Sequence, residues 1–363
     1  MLGIRPLLAS AAATLTSPLT PDDYRAALNP LWSRNQPSGR VTAVVPETAD
    51  AATVLIRPGL GWRQVTAGQH IAGQHIDTGF RINGVWHSRT FSLSSPPGRS
   101  DGLLSITVKA SADGLVSRHI VHALRAGDTV RLGQPTGTFV LPAEVPARLL
   151  FVTAGSGITP VMAMLRHLAA GQRMPDVVLA HSAPGPSHVI FGPELRRLAA
   201  RFPTLRLHEQ HTRPAGGNPA RLTMAALSAL CPDLPERMAW VCGPAALVDE
   251  AESHWREAGI GARLRTERFH PNLRTGNGQG GRVRFARSGR ETTASADTPL
   301  LTVGERSGML MPSGCRMGIC HRCLVPLTEG RVRDLRTGVE HGTAGELIQT
   351  CVSAAAGDVE IDL

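Results

Sequence analysis

The chain has 363 residues, enough for two or three ordinary domains and too many for a disulfide-held miniprotein. Hydrophobic residues make up 42% and charged residues 18%, which excludes a mostly disordered, highly charged chain. The net charge of +9 is carried almost wholly by arginine, but there is no dense basic run, no basic strip with interleaved aromatics and no zinc-finger spacing. A nucleic acid is therefore excluded as the partner in favour of a phosphorylated cofactor or an acidic protein.

Residues 1–37 read as an N-terminal extension. LGIRPLLASAAATL over 2–15 has the composition of a weak signal segment, but Arg5 and Pro6 interrupt it and no clean cleavage site follows. A short helix lying on the body or on a membrane partner is the better expectation. No apolar run approaches the roughly 20 residues of a spanning helix, so a cytoplasmic chain is expected, peripheral to the inner face of a membrane only through its acceptor. PLTPDDYRAALNPLWS, residues 18–33, predicts a second short helix between prolines.

From 38 to 143 the pattern is strand and turn: VTAVVPE, ATVLIRP, RTFSLSS, LLSITVKA and DTVRLGQP are separated by Gly, Pro, Asn or Asp, as in a small antiparallel barrel or sandwich. On an extended RTFS, Arg89 and Phe91 share a face, a guanidinium for a phosphate and a ring for a flat heterocycle. Ser92 faces the other way, and Thr90 lies between. Gly114 and Ser117 open a helix suited to a second phosphate contact. Ordinary alternating strand residues would read the same in isolation.

From 144 to 270 strands and helices alternate: LLFVTA, a glycine turn, PVMAMLRHLAA, VVLAHS, PELRRLAARF, LRLHEQ, MAWVCGP and AALVDEAESHWREAG. This rhythm builds a parallel sheet covered by helices. Gly155 and Gly157 follow an apolar strand and precede a helix that admits Thr159 and Pro160 in its first turn, an arrangement open to a diphosphate or to nothing more than a tight turn. Cys242, Gly243 and Pro244 end a later strand, on the edge where parallel sheets bind ligands. Alone, Cys242 would also pass for an ordinary buried cysteine.

Residues 271–280, rich in Gly and Asn, read as a linker to a final module over 281–363 whose first strands have hairpin character. There Cys315, Cys320 and Cys323 follow C-x4-C-x2-C spacing, with Cys351 27 residues beyond. That spacing wraps three thiolates around a two-iron cluster and leaves the fourth to complete it. His321, inside the loop, has no partner at ligand spacing and reads as an exposed residue.

This module resembles the plant-type [2Fe-2S] ferredoxins, which implies a β-grasp sheet with all four cysteines on iron. Residues 38–270 resemble the ferredoxin-NADP reductase superfamily, on Arg89, Phe91 and Ser92, on Gly114 to Ser117, on Gly155 to Pro160 and on Cys242, Gly243 and Pro244. Phe91 departs from the more frequent tyrosine. The resemblance implies an FAD-binding β-barrel domain at 38–143, an NAD(P)-binding α/β domain at 144–270, and FAD rather than FMN. It implies that Arg89 and Ser117 contact flavin phosphates, that Phe91 packs on the isoalloxazine, and that Ser92 lies near flavin N5. Cys242 would lie near the nicotinamide C4 and Glu267 near both rings. NADPH is the expected donor, with NADH the alternative, read by Ser182 after VVLAH and Arg213 in a later loop. Electrons would pass from NAD(P)H through FAD and the cluster singly to an external acceptor. Residues 17–33 and the domain order resemble reductases that serve membrane acyl desaturases, while a soluble ring hydroxylase or cytochrome P450 is the alternative acceptor. A monomer is expected.

Overall fold

The computed structural model describes residues 19–62, 70–112, 114–213, 221–269, 273 and 278–363. The segment over 2–15 and most of the expected 271–280 linker lie outside them. The chain divides into two compact units, Met1–His87 with Phe91–Glu267, and Ser88–Thr90 with Arg268–Leu363.

The first unit opens with α1 (Pro21–Leu28), where the Thr20 hydroxyl accepts from the Asp23 N–H and the Asp23 carboxylate accepts from the Thr20 N–H at 2.7 Å. This reciprocal cap holds the helix start. The buried Asp22 carboxylate takes the Ser33 hydroxyl at 2.7 Å and the Asn35 N–H at 3.0 Å, folding the following turn back onto the helix.

Strands β1 (Ser38–Thr48), β2 (Ala51–Pro58), β3 (His75–Ile82), β4 (Val85–Ser92) and β5 (Leu104–Lys109) precede α2 (Leu115–His122) and β6 (Thr129–Leu132). They form one sheet in the order β4-β3-β6-β1-β2-β5, and an antiparallel bridge from Leu93 to Ile106 joins its two edges into a barrel. Val54, Ile56, Ile76, Phe80, Leu93 and Ile106 fill the interior. Strand β3 is an element that the strand-and-turn pattern did not single out. In HIDTGFRI only Ile76, Phe80 and Ile82 advertise burial, whereas Thr78 and Gly79 dilute the alternation.

The second sheet contains β7 (Arg148–Ala154), α3 (Ile158–Ala170), β8 (Asp176–Ala183), α4 (Gly192–Arg201), β9 (Leu205–His211), α5 (Met224–Leu230), β10 (Met238–Cys242), α6 (Ala245–Glu257) and β11 (Leu264–Glu267). All its strands are parallel, in the order β11-β10-β7-β8-β9. The chain winds outward from β7 to β9, then returns to the other side for β10 and β11. The reversal between β7 and β10 opens a crevice at their C-terminal ends.

In the other unit, β12 (Gly281–Phe285) and β13 (Arg290–Ala294) form the expected hairpin, followed by α7 (Leu300–Arg306), β14 (Leu324–Asp334), β15 (Glu340–His341), β16 (Leu347–Gln349) and β17 (Ser353–Ile361). The sheet order is β13-β12-β17-β14-β15, with β16 also on β14; β12 and β17 run parallel and the remaining pairs antiparallel. Phe285, Leu300, Leu327, Val332, Val352 and Ile361 build a separate core. Among the described residues no helix is long and apolar enough to cross a membrane.

Candidate active site

The parallel register puts Glu267, Cys242, Thr153, His181 and Glu209 in one row across β11, β10, β7, β8 and β9, at the C-terminal edge of the sheet. Directly beyond, β7 runs through Gly155–Gly157 into α3. Gly157 is demanded by close approach: a Cβ there would lie 2.1 Å from the Cys242 carbonyl oxygen. The glycine turn and the Cys242-Gly243-Pro244 corner are therefore in contact, and the two motifs meet at one point of the crevice. The Thr159 hydroxyl donates to the Ser156 carbonyl at 3.0 Å, Pro160 lies in the first turn of α3, and Pro244 caps α6.

Cys242 is fully buried, and burial followed by the neighbouring Glu267 carboxylate pushes its thiol well above the ordinary range, so it stays protonated. The Glu267 Oε1 accepts from His75 Nδ1 at 3.2 Å, and its Oε2 is buried without a partner among the described residues. Ser182 sits at the end of β8, one residue past His181 and so on the opposite face. Arg213 follows β9; its N–H donates to the Pro184 carbonyl at 2.9 Å, which keeps the exposed arginine at the same sheet edge as Ser182.

His181 is fully buried, with Nδ1 2.8 Å from the Thr153 hydroxyl. Burial pushes its imidazole down to about 4 from 6.5, so the ring is neutral near pH 7. Because the folded value lies below the unfolded one, the stability tied to this ring is fully present above about pH 6.5 and is lost as the pH falls towards 4; the shift corresponds to about 3 kcal/mol. His181→Gln is expected to flatten the fall of melting temperature between pH 6.5 and 4. An unchanged slope would assign that acid sensitivity to other groups.

On β4, Arg89 and Phe91 are half-buried and Ser92 is buried. Burial lowers the Arg89 guanidinium to about 10, and its Nη1 donates to the Ser88 carbonyl at 2.7 Å. Phe91 meets Phe80 edge-on, with ring centroids 6.1 Å apart. Among the described residues the Ser92 hydroxyl has no hydrogen-bond partner although it is buried. An orphaned hydroxyl in that position is costly unless a ligand atom completes it. Gly114 caps α2, and the Ser117 hydroxyl donates to the Gly114 carbonyl at 3.2 Å, within 3.2 Å of Ser111 Oγ.

In the cysteine loop, Arg316, Gly318 and His321 all have left-handed backbone, with φ of 60°, 71° and 57°. Such residues curl the chain and turn successive N–H groups inward. The Cys315 N–H points at Cys320 Sγ at 3.2 Å, and the Met317 and Cys320 N–H groups point at Cys315 Sγ at 3.3 and 3.4 Å. Burial opposes ionisation of Cys315, but these N–H groups and that of Ile319 hold its thiol below the ordinary value. Cys323 and Cys351 face each other at 3.2 Å, and the hydrogen bond between their sulfurs draws Cys323 down and drives Cys351 up. Arg336 and Gln349 both donate to the Gly318 carbonyl at 3.0 Å, pinning the loop. The thiols of Cys315, Cys320, Cys323 and Cys351 are free, loop N–H groups face the first two, and this donor set has the chemistry that a [2Fe-2S] cluster requires. His321 is exposed, in keeping with its not being a ligand.

Sequence reasoning missed His75, Thr153 and His181. The first stands 192 positions from Glu267, and the other two are joined only through strand register.

The family model for an oxidoreductase FAD-binding domain matches residues 64–141, that for an oxidoreductase NAD-binding domain residues 151–253, and that for a 2Fe-2S iron-sulfur cluster binding domain residues 283–356. The chain belongs to the ferredoxin-NADP reductase superfamily, as a flavoprotein fused to a C-terminal [2Fe-2S] domain, and is an NAD(P)H-dependent flavin/iron-sulfur oxidoreductase. It is 45% identical to the NADPH oxidoreductase of Mycobacterium tuberculosis over 98% of this chain and 92% of that one. It is 31% identical to the ferredoxin reductase component of 3-ketosteroid-9-alpha-monooxygenase from Mycolicibacterium smegmatis, over 81% of this chain and 86% of that one. In fold it is similar to phthalate dioxygenase reductase, with a TM-score of 0.61 and 22% identity over 90% of this chain and 97% of that one. Electrons pass from NAD(P)H through FAD and [2Fe-2S] to an external acceptor.

Proposed function

We propose that this chain is the NADPH-dependent reductase component of an oxygenase system, with a separate oxygenase or cytochrome P450 as acceptor. The observation that carries the reading is the near full-length likeness to a protein named for NADPH, set beside relatives at 28–31% identity named as reductase parts of monooxygenases. The hydroxyl of Ser182 and the guanidinium of Arg213, at one sheet edge, support recognition of an adenosine 2′-phosphate. An acyl desaturase as acceptor rests on the resemblance of residues 17–33 and of the domain order.

In this reading Arg89, Gly114 and Ser117 hold flavin phosphates, Thr90 and Phe91 line the isoalloxazine, and the orphaned Ser92 hydroxyl meets N5. Gly155, Gly157, Thr159 and Pro160 form the diphosphate side of the nucleotide site. Cys242, Gly243, Pro244 and Glu267 lie at the nicotinamide, and Cys315, Cys320, Cys323 and Cys351 hold iron. The neutral thiol of Cys242 supplies apolar bulk at the strand end without a charge that would repel a hydride. When bound, the flavin takes an electron pair as hydride and releases electrons singly to the cluster.

Anaerobic titration of the holoprotein tests the donor: NADPH is expected to bleach the flavin and iron-sulfur bands at lower concentration than NADH. Equal or reversed preference would overturn the NADPH assignment. Reconstitution with an oxygenase component and, separately, with a membrane desaturase tests the acceptor, and turnover with the desaturase alone would overturn the oxygenase reading.

A further inference from the structure

His75 opens β3, and its ring is fixed from two sides. Its backbone N–H donates to the Thr136 carbonyl and its carbonyl accepts from the Thr136 N–H, both at 2.9 Å. The ring lies against Gly137, where φ is 111° and a Cβ would come within 2.9 Å of the ring atoms Cε1 and Nδ1. No other residue type at 137 leaves the ring where it is. From this seat Nδ1 reaches Glu267 Oε1 at 3.2 Å, and the side chains are 30% and 13% exposed.

Glu267 is the last residue of β11 and the register neighbour of Cys242. One carboxylate oxygen is committed to His75, whereas Oε2 is buried with no partner among the described residues. A carboxyl group held by one oxygen keeps a defined orientation, and its unpaired oxygen calls for a donor brought by a ligand. With Glu267 as acceptor, the bond places the imidazole proton on Nδ1.

We propose that His75 is a positioning residue for Glu267: by holding Oε1 it keeps Oε2 turned into the strand-end site that receives the donor nucleotide. The inference rests on the reading of Glu267 as a residue of the nicotinamide site. It adds a group from the flavin barrel to the nucleotide machinery of the parallel sheet.

The test uses the full-length holoprotein and four forms: His75→Phe, which keeps a ring without the donor; His75→Gln, which keeps a donor; Glu267→Gln; and the double variant H75F/E267Q. FAD content and melting temperature are recorded first. Single-turnover flavin reduction is then followed against NADPH concentration to separate the limiting rate from binding. The limiting rate is expected to fall about tenfold in His75→Phe and to return to within about threefold of wild type in His75→Gln. The double variant is expected to be no slower than Glu267→Gln alone.

Nitrogen NMR of labelled histidine supplies a readout apart from turnover: the His75 Nδ1–H signal is expected to shift in Glu267→Gln. This measurement also decides the matter if His75→Phe loses FAD. A wild-type rate in His75→Phe, losses that multiply in the double variant, or a His75 signal indifferent to Glu267→Gln would overturn the proposal while leaving Glu267 its role. A wild-type rate in Glu267→Gln would instead remove Glu267 from the site, and the proposal with it.

Discussion

Replacing Cys323 with serine is expected to abolish the iron-sulfur absorbance of the purified holoprotein and to cut cytochrome c reduction by roughly 100-fold or more, while NADPH still bleaches the flavin. Cys323 is 2% exposed, its sulfur lies 3.2 Å from that of Cys351, and its carbonyl accepts from the Thr350 hydroxyl at 2.9 Å. Serine keeps the size and the backbone bonds but replaces a soft thiolate ligand with a hydroxyl that stays protonated near neutral pH. The iron-sulfur module has its own hydrophobic core, so the barrel and the parallel sheet have no packing reason to fail with it. Absorption spectra and iron content check the first part, and anaerobic flavin bleaching the second. Full iron content in the variant would remove Cys323 from the ligand set, and loss of flavin bleaching would show that the two units depend on each other to fold.

Arg237→Met is expected to destabilise the protein by about 3 kcal/mol, lowering the melting temperature by roughly 6–12 °C, without slowing flavin reduction below the melt. The Arg237 side chain is fully buried just before β10. It donates to both Asp233 carboxylate oxygens, at 3.0 and 2.8 Å, to Asp176 Oδ2 at 2.7 Å, and to the Leu149 and Asp176 carbonyls at 3.1 and 3.0 Å. One guanidinium thus clamps the starts of β7, β8 and β10. Its hydrogen bonds are the main cause that holds the Asp233 carboxyl down at about 2. Methionine fills similar volume but takes the guanidinium away from two carboxylates and a donor away from each of two carbonyls. Those carboxylates are 31% and 40% exposed, so water relieves part of the loss and the effect falls at the lower end for a broken buried ion pair. The clamp sits at the N-terminal ends of the strands, opposite the cofactor crevice, which is why rate and stability should separate. A melting temperature within 2 °C of wild type would contradict this account.

The motifs that were legible are those whose chemistry is local. C-x4-C-x2-C spacing, the glycine turn at 155–157 and the Cys242-Gly243-Pro244 corner each occupy a few consecutive residues, and strand alternation marked most of the barrel. What was not legible depends on register. Nothing near Thr153 announces that it will face His181, and Arg237 reads as a surface charge until three strand starts converge on it. Helix α5 is a similar case: MAALSAL is too short for its periodicity to stand out, and its Thr223 cap is visible only once the helix is known. Gly157 was read as room for a diphosphate or as part of a tight turn, and its close approach to the Cys242 carbonyl is a further demand for glycine that depends on strand register.

Strand β17 gives the iron-sulfur unit an order of assembly. It ends two residues before Leu363, yet it lies between β12 and β14 in the middle of the sheet, and Cys351 stands just before it. The Leu363 carbonyl itself accepts from the Arg287 N–H at 2.9 Å. Until Cys351 and β17 have been synthesised, neither the central strand nor the fourth thiol is in place, although the barrel and parallel sheet precede them in the chain. Iron can therefore be enclosed only once β17 has emerged, and a chain that lacks Cys351 and β17 would be a flavoprotein with no outlet for its electrons.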